Sequence, residues 1–565
     1  MHRSPYPEPD PFERSPEQLV RAGEVATAAE LIASRWTSVS TTQGARVRSI
    51  ISELPESLWA DDPRMLAAMG ASYRSVGSPS RSAALPWFRA AEAKARERGA
   101  PSVDTADILT HHAAALRSLG RVDAAARTAQ SALDILEGDD GVPPRRIRAH
   151  ASAAVQIGLA RVHEGRWADA VEVLRLALGL ADTALTRSEV VECLSGLSVA
   201  AFFAGDLDAA STYVDRARST AEGSGLLDSQ FGAGALAVET LVAVERNEFA
   251  VARELAPRAL DAAFDTDWNP LAHYASACLA VIGGGHLEGL DQVRRTLEAL
   301  SSWAGAPFLA THARVLRGEL LMRLGEFRAA LATLDTVTPS ALHAVCPARF
   351  VAGIRYKAGD YEGCLAALAA CLDLGDAHSA TTVVDVHVLA AAAHLDLGDT
   401  VASDLAFDRA LLSAAGTSIR TGFLLVSTAT LGRLLSRAAD RNQPVRVHAV
   451  LDAVSADAGT TPHGALEPLS DRELDIAAQL LHDKTVSQIA GALFISTNTV
   501  KTHVRSIYRK LAASNRKEAV RRVRELGLAK GTDEPAREDP PRTELPVDEV
   551  TRDHPALEVR KITPD

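Results

Sequence analysis

The sequence predicts an all-α protein: a long α-solenoid of stacked helical hairpins followed by a small four-helix domain. Three observations carry this. A glycine-led turn recurs from Gly77 to Gly398 in eight steps over 321 residues, a period of about 40. Aromatic residues make up only 5% of the chain, and alanine runs such as Ala113-Ala114-Ala115 and Ala390–Ala393 recur. Alanine is the best helix former and lets backbones approach, so this composition favours closely packed helices. Between Thr497 and Leu526, finally, nine Lys/Arg stand against two Asp/Glu, a local +7 in a chain whose total is -12.

At roughly 150 residues per domain, 565 residues leave room for three or four domains, but the repeat merges most of that length into one elongated body. The apolar share of 47% and charged share of 23% exclude a wholly disordered chain. No run of about 18 apolar residues exists, so no transmembrane helix is expected. The first residues lack a signal peptide's apolar core, and Pro5, Pro7, Pro9 and Pro11 suggest an extended arm over residues 1–15. The five cysteines (Cys193, Cys278, Cys346, Cys364, Cys371) are odd in number and form no CxxC pair. A zinc knuckle or disulfide framework is therefore not expected, and the compartment reads as cytoplasmic. Cys364 and Cys371, seven apart, read as small buried residues on one helix face. His111 and His112 are adjacent and point to different helix faces, so neither a metal site nor a cofactor is expected.

The repeat runs as glycine, any residue, apolar residue, two more, then a small residue. It reads Gly120-Arg-Val122-Asp-Ala-Ala125, Gly165-Arg-Trp167-Ala-Asp-Ala170, Gly205-Asp-Leu207-Asp-Ala-Ala210, Gly325-Glu-Phe327-Arg-Ala-Ala330, Gly359-Asp-Tyr361-Glu-Gly-Cys364 and Gly398-Asp-Thr400-Val-Ala-Ser403. Weaker copies begin at Gly23, Gly77, Asn247 and Gly285. Glycine or asparagine just past a helix adopts the left-handed conformation that ends it. The apolar residue packs into the turn, and the small residue lets the second helix approach the first. Helical apolar patterns flank each turn, for example Ile157, Ala160 and Val162 before Gly165, and Val171, Leu174 and Leu178 after it. Such hairpins cannot bury their faces alone and must stack. The repeat body is read as residues 16–454.

Residues 455–468 are small, polar and broken by glycine and proline, a linker. After Leu528 the chain carries ten acidic and six basic residues among many prolines, so 529–565 is read as a disordered charged tail. Between them, 469–528 carries three helix starts with the capping-box pattern: Ser470 with Glu473, Thr485 with Gln488, and Asn515 with Glu518. Ser496 caps a fourth. Helices are predicted over 471–482, 486–493, 497–512 and 515–526, the second and third joined by the tight turn Phe494-Ile495-Ser496: a helix-turn-helix. At 100° per residue, Val500, Val504, Ile507 and Leu511 form a narrow core stripe on the third helix. Thr502, Arg505 and Arg509 face the other way, with Lys501 at the flank. An apolar back and a basic front at this position suit the major groove of double-stranded DNA.

The glycine, acidic residue, aromatic, alanine order of the repeat turn resembles the tetratricopeptide repeat, and the longer period resembles the helical sensor region of large LuxR-type regulators of the MalT kind. Leu469-Ser470-x-Arg472-Glu473-Leu474, Gln488-Ile489-Ala490-x-x-Leu493-x-Ile495-Ser496 and Thr499-Val500-Lys501-x-His503-x-x-x-Ile507-x-x-Lys510-Leu511 closely resemble the LuxR-type DNA-binding domain of bacterial transcription regulators. That resemblance places Lys501, Thr502 and Arg505 at base-reading positions and Thr497, Thr499, His503, Arg509 and Lys510 near phosphates. It also implies pairing of two domains through the last helix, around Val520 and Val523, hence a homodimer on DNA. Two positions depart from the family: Asp483 where glycine is usual, and Gln479 where an apolar residue is usual. No GxxxxGK[ST] phosphate loop occurs, so the ATP-binding module of MalT-like regulators is absent from this sequence.

The expected function is therefore transcription regulation. The C-terminal domain would read operator DNA, while the repeats sense an effector, whether small molecule, peptide or protein. The alternative is a repeat-based interaction scaffold whose DNA-binding domain is auxiliary. No Ser/His/Asp, Cys/His or paired-carboxylate constellation stands out, and an enzyme is not expected. The body, residues 1–464, carries -12, by subtracting +4 for 465–528 and -4 for the tail from the total of -12. An acidic body beside a basic head suggests electrostatic masking of the head.

Overall fold

The computed structural model describes residues 15–39, 43–74, 81–137, 143–180, 184–303, 305–337, 346–374, 378–457 and 468–526. Among these, the chain is built of helices with no β-strand. It forms a tetratricopeptide-like α-solenoid followed by a four-helix domain. The arm 1–14, the turn at Gly77, most of the linker and the tail lie outside the described residues. The last helix of the body runs Val445–Asp457, so the first three residues read as linker continue that helix.

The turns explain the repeat. Gly120, Gly165, Gly205, Gly325, Gly359 and Gly398 all have φ between +74° and +87°. In each the residue after the glycine donates its amide to a carbonyl five residues back: Arg121 to Leu116 at 3.0 Å, Glu326 to Leu321 at 2.8 Å, Asp360 to Arg355 at 3.0 Å. This is the six-to-one bond that closes a helix through a left-handed residue. Asn247 does the same at φ +58°, with Glu248 bonded to Ala243 at 2.8 Å. At the weak copy placed on Gly285 the left-handed residue is instead Gly284 (φ +83°), and Gly285 is an ordinary helix cap. The run Gly283-Gly284-Gly285 offers three interchangeable positions, which the pattern alone does not distinguish.

After each turn the small residue is buried: Ala125, Ala170, Ala210, Ala330, Cys364 and Ser403 are at most 1% exposed. Paired helices such as Arg187–Phe203 and Leu207–Thr220 pack as hairpins, and the first helices of successive hairpins pack on one another. The two layers differ in character. Every residue from Val191 to Ala201 is buried, whereas Leu207–Thr220 buries one face through Leu207, Ala210, Tyr213, Val214 and Ala217. First helices are thus enclosed by neighbours on all sides and second helices face outward, as amphipathic spacing dictates.

The body also coils back on itself, where the sequence suggested an elongated stack touching only neighbours. Arg117 bonds Asp267, 150 residues away, and Glu192 at 2.5 Å, while Trp303 Nε1 donates to the Arg117 carbonyl at 3.0 Å. These charges are buried, and His163, 3.3 Å from Asp267, is held neutral by burial that pushes its pKa well below the usual value. A second staple joins the backbone amide of Arg420 to the Glu245 carbonyl at 2.8 Å, with Thr421 Oγ1 donating to the Glu245 carboxylate at 2.5 Å.

Candidate nucleic-acid interface

The C-terminal domain is assembled by its caps. Its helices run Asp471–Leu481, Val486–Ala492, Thr497–Lys510 and Arg516–Glu525. Ser470 and Glu473 close a reciprocal box: the Ser470 amide donates to the Glu473 carboxylate at 2.8 Å, and the Glu473 amide to Ser470 Oγ at 3.4 Å. Thr485 and Gln488 do the same at 2.8 and 3.3 Å. Ser496 accepts from the Thr499 amide at 3.0 Å. The third box, on the fourth helix, is only half as expected. Asn515 accepts from the Glu518 amide at 3.0 Å, but the Glu518 carboxylate takes the Ser514 amide, at 2.7 Å, instead of that of Asn515.

Two non-glycine residues turn left-handed to make the motif: Asp483 (φ +54°) between the first two helices and Phe494 (φ +52°) in the tight turn. Aspartate tolerates this region better than most side chains, which accounts for its standing where the family uses glycine. Gln479, the other departure, is half-buried and accepts from Lys484 Nζ at 2.5 Å. Arg472 clamps the turn by donating to the Leu493 carbonyl at 2.7 Å, and Arg516 ties the last helix to the first through the Lys484 and Leu480 carbonyls at 2.7 and 3.1 Å.

On the third helix, Thr497–Lys510, Val500 and Ile507 are fully buried, as is Leu511 at its end, and Val504 is half-buried, the predicted core stripe. Thr497, Asn498, Thr499, Lys501, Thr502, Arg505 and Arg509 are exposed, and His503 is half-buried at the edge. The helix thus presents one basic, hydroxyl-rich face with its N-terminus uncovered. Lys510 departs from expectation. Its ammonium turns inward, 2.8 Å from the Glu473 carboxylate and 3.0 Å from the Pro468 carbonyl, so it is committed inside the domain rather than offered to a phosphate. Burial alone would raise the Glu473 pKa, but Lys510 and the other donors around it hold it at about 2. Phe494, in the tight turn read from the sequence, is 93% exposed at its tip.

Val523 is fully buried in the domain's own core and Val520 is half-buried, so of the two residues expected to face a second copy only Val520 has surface to offer. The last helix also docks on the body. Arg521 grips Glu326 with both terminal nitrogens, at 2.7 and 2.9 Å, and Arg522 donates to the Leu324 carbonyl at 2.7 Å. A Cβ added at Gly325 would lie 2.6 Å from the Arg522 guanidinium and 2.7 Å from the Leu511 carbonyl. Ala358 of the next turn packs against the domain's core. Two repeat turns therefore form the seat of the head, and the contact leaves the basic face of Thr497–Lys510 exposed. Masking of that face by the acidic body, suggested by the charge distribution, is not the arrangement seen.

Residues 467–523 match the family described as bacterial regulatory proteins, luxR family, which makes this domain a LuxR-type DNA-binding helix-turn-helix. The chain is 37% identical over 59 residues to the HTH-type transcriptional regulator MalT of Serratia proteamaculans (strain 568), a match spanning 10% of this chain and 6% of that regulator. Among solved structures, the apo form of RapI is similar at a TM-score of 0.36 with 11% identity, over 59% of this chain and 92% of its own. The Cut9–Hcn1 assembly of the APC/C is similar at 0.35 with 12% identity, over 78% and 94%. Among the described residues no helix is long and apolar enough to cross a membrane.

Proposed function

We propose that the chain regulates transcription by reading operator DNA through the exposed face of Thr497–Lys510, while the solenoid responds to an effector or protein partner. The observation that carries this is the basic face of Lys501, Thr502 and Arg505 on a LuxR-type helix-turn-helix held rigid by its caps. Arg505 and Lys501 have the reach to pair with guanine edges, and Thr502 offers a hydroxyl and a methyl to several bases. Thr497, Thr499, His503 and Arg509 surround that face and suit the flanking phosphates. Pairing of two heads over two half-sites through the last helix requires that helix to leave the body, because Arg521 and Arg522 are engaged with the turn after Leu324. An effector that loosens this seat would thereby favour the paired, DNA-bound form.

The test is footprinting of the full chain on operator DNA selected from random sequence. Arg505→Ala is expected to cost about 1–3 kcal/mol at the preferred site and to relax specificity at one base position. Arg509→Ala should weaken all sequences alike and lower the salt dependence by about one counterion. Sequence-specific binding untouched by Arg505→Ala would overturn the base-reading assignment.

A further inference from the structure

Far from the recognition helix, three soft donors converge inside the body. The Sγ atoms of Cys346 and Cys371 and a ring nitrogen of His378 all lie within 4.8 Å of one another, and all three residues are buried. The two sulfurs are 3.0 Å apart. The donors come from three successive helices: Cys346 is the cap residue of Pro347–Lys357, Cys371 lies in the last turn of Tyr361–Leu374, and His378 precedes Ser379, the cap of Ala380–Leu397. Three helix ends meeting on two thiols and an imidazole is an arrangement that hydrophobic packing alone does not call for. The three remaining cysteines stand outside this cluster: Cys364 is the small residue of a repeat turn, Cys193 donates to the Leu174 carbonyl at 3.4 Å, and Cys278 lines the same inner cavity as Cys346.

We propose that Cys346, Cys371 and His378 bind a zinc ion with three protein ligands, leaving one position for water or an effector group. Two thiolates and an imidazole form a donor set that zinc favours, and three protein ligands with an open fourth position distinguish reactive or ligand-receiving zinc sites from closed structural ones. With bonds of about 2.3 Å, two thiolates on a tetrahedral zinc stand about 3.8 Å apart, so the sulfurs would open by about 0.8 Å from their contact as thiols. The ion would displace both thiol protons on binding, which makes uptake pH-dependent.

The surroundings supply room for the fourth ligand. Cys346 lines an inner cavity of the body together with Tyr274, His312 and Arg349. His378 lines an outer groove of about 1190 Å³ beside Trp167, Arg175 and Tyr213. Phe203 and Ser379 border both, so the cluster sits in the partition between them. Arg175, whose Nε donates to the Tyr213 hydroxyl at 2.7 Å, supplies a positive charge to the groove that His378 also lines. The site also clamps the hairpin Pro347–Leu374 at its base, the end away from Ala358, whose turn touches the head.

The experiment uses the full chain, stripped with a chelator under a non-thiol reductant and titrated with cobalt(II), then zinc. The expected result is one equivalent of cobalt, with the near-ultraviolet band of thiolate ligation and intense tetrahedral visible bands, both displaced by zinc. Cys346→Ser and Cys371→Ser should abolish the thiolate band, His378→Ala should weaken binding and change the visible bands, and Cys364→Ser should change nothing. Circular dichroism of each variant distinguishes lost ligation from lost folding, and the wild-type titration stands without any variant. Absence of a thiolate band in the reduced wild type overturns the proposal. So does a band that survives Cys346→Ser, or a Cys346–Cys371 disulfide recovered by peptide mapping from protein that takes up no metal. None of these readings involves DNA, so this inference and the DNA-reading one fail separately.

Discussion

Charge reversal at Glu326 should release the head from the body. Glu326 holds Arg521 through two contacts at 2.7 and 2.9 Å and lies 3.3 Å from Arg522 Nη2. The Glu326 and Arg521 side chains are each 39% exposed, so solvent screens the pair. Exposed ion pairs contribute roughly 0.2–1 kcal/mol, and a two-pronged arginine–carboxylate contact belongs near the top, at about 1 kcal/mol. In Glu326→Arg that attraction is lost and a third guanidinium is placed against Arg521 and Arg522. After the new side chain swings towards solvent, repulsion adds about 1 kcal/mol. The sum, about 2 kcal/mol, shifts the docking equilibrium roughly 30-fold. The local turn should survive, because the Glu326 side chain makes no cap bond to its helix. Hydrogen exchange read by mass spectrometry would show faster exchange over 516–525 and 321–326, with 207–220 unchanged. Salt at 1 M, where the Debye length falls to about 3 Å, should move the wild type in the same direction. Unchanged exchange over 516–525 in Glu326→Arg, or equal acceleration everywhere, would refute the view that this ion pair seats the head.

Gly325→Ala and Gly359→Ala should part company. Both glycines are left-handed, at φ +76° and +75°, so each change strains its turn by about 1 kcal/mol. Only Gly325 faces the head, so only Gly325→Ala should also loosen docking in the exchange experiment, whereas nothing lies within 4 Å of a Cβ at Gly359. Lys510→Met should destabilise the C-terminal domain rather than reduce the salt dependence of DNA binding, because it strands the buried Glu473 carboxylate. The pH dependence follows from the same pair. Glu473 titrates at about 2 in the fold against 4.5 in its absence, so its contribution is complete above pH 4.5 and is lost as pH falls towards 2. Acid titration followed by circular dichroism should show about 2 kcal/mol lost over that window, and much less in Lys510→Met.

What the sequence discloses and withholds divides by distance along the chain. The repeat turns were readable because one residue, such as Gly120 or Gly398, must be left-handed and the residue five later, such as Ala125 or Ser403, must be small. Both demands act within six positions. The recognition helix was readable for the same reason: its cap, its apolar stripe and its basic face repeat locally. The inward turn of Lys510 is not legible locally, because its partner Glu473 lies 37 residues away and helical periodicity gives the direction of a side chain but not what it meets. Arg521 reads as one more cation on a basic helix until Glu326, 195 residues earlier, is set beside it. The thiol pair has no local signature either: Cys346 and Cys371 are 25 residues apart on different helices, and the spacing that advertises a zinc knuckle is absent.

The coiling of the body bears on how it yields to force. In a linear array of hairpins each unit leans only on its neighbours, and the array peels from an end one unit at a time. Here Arg117 reaches Asp267 and Glu192, and Arg420 reaches Glu245, so hairpins far apart in sequence are tied laterally. Drawn out by its termini in an optical trap, such a body behaves less like a zip than like a coil of rope with stitches through it. It holds until a stitch parts, then surrenders several hairpins in a single extension.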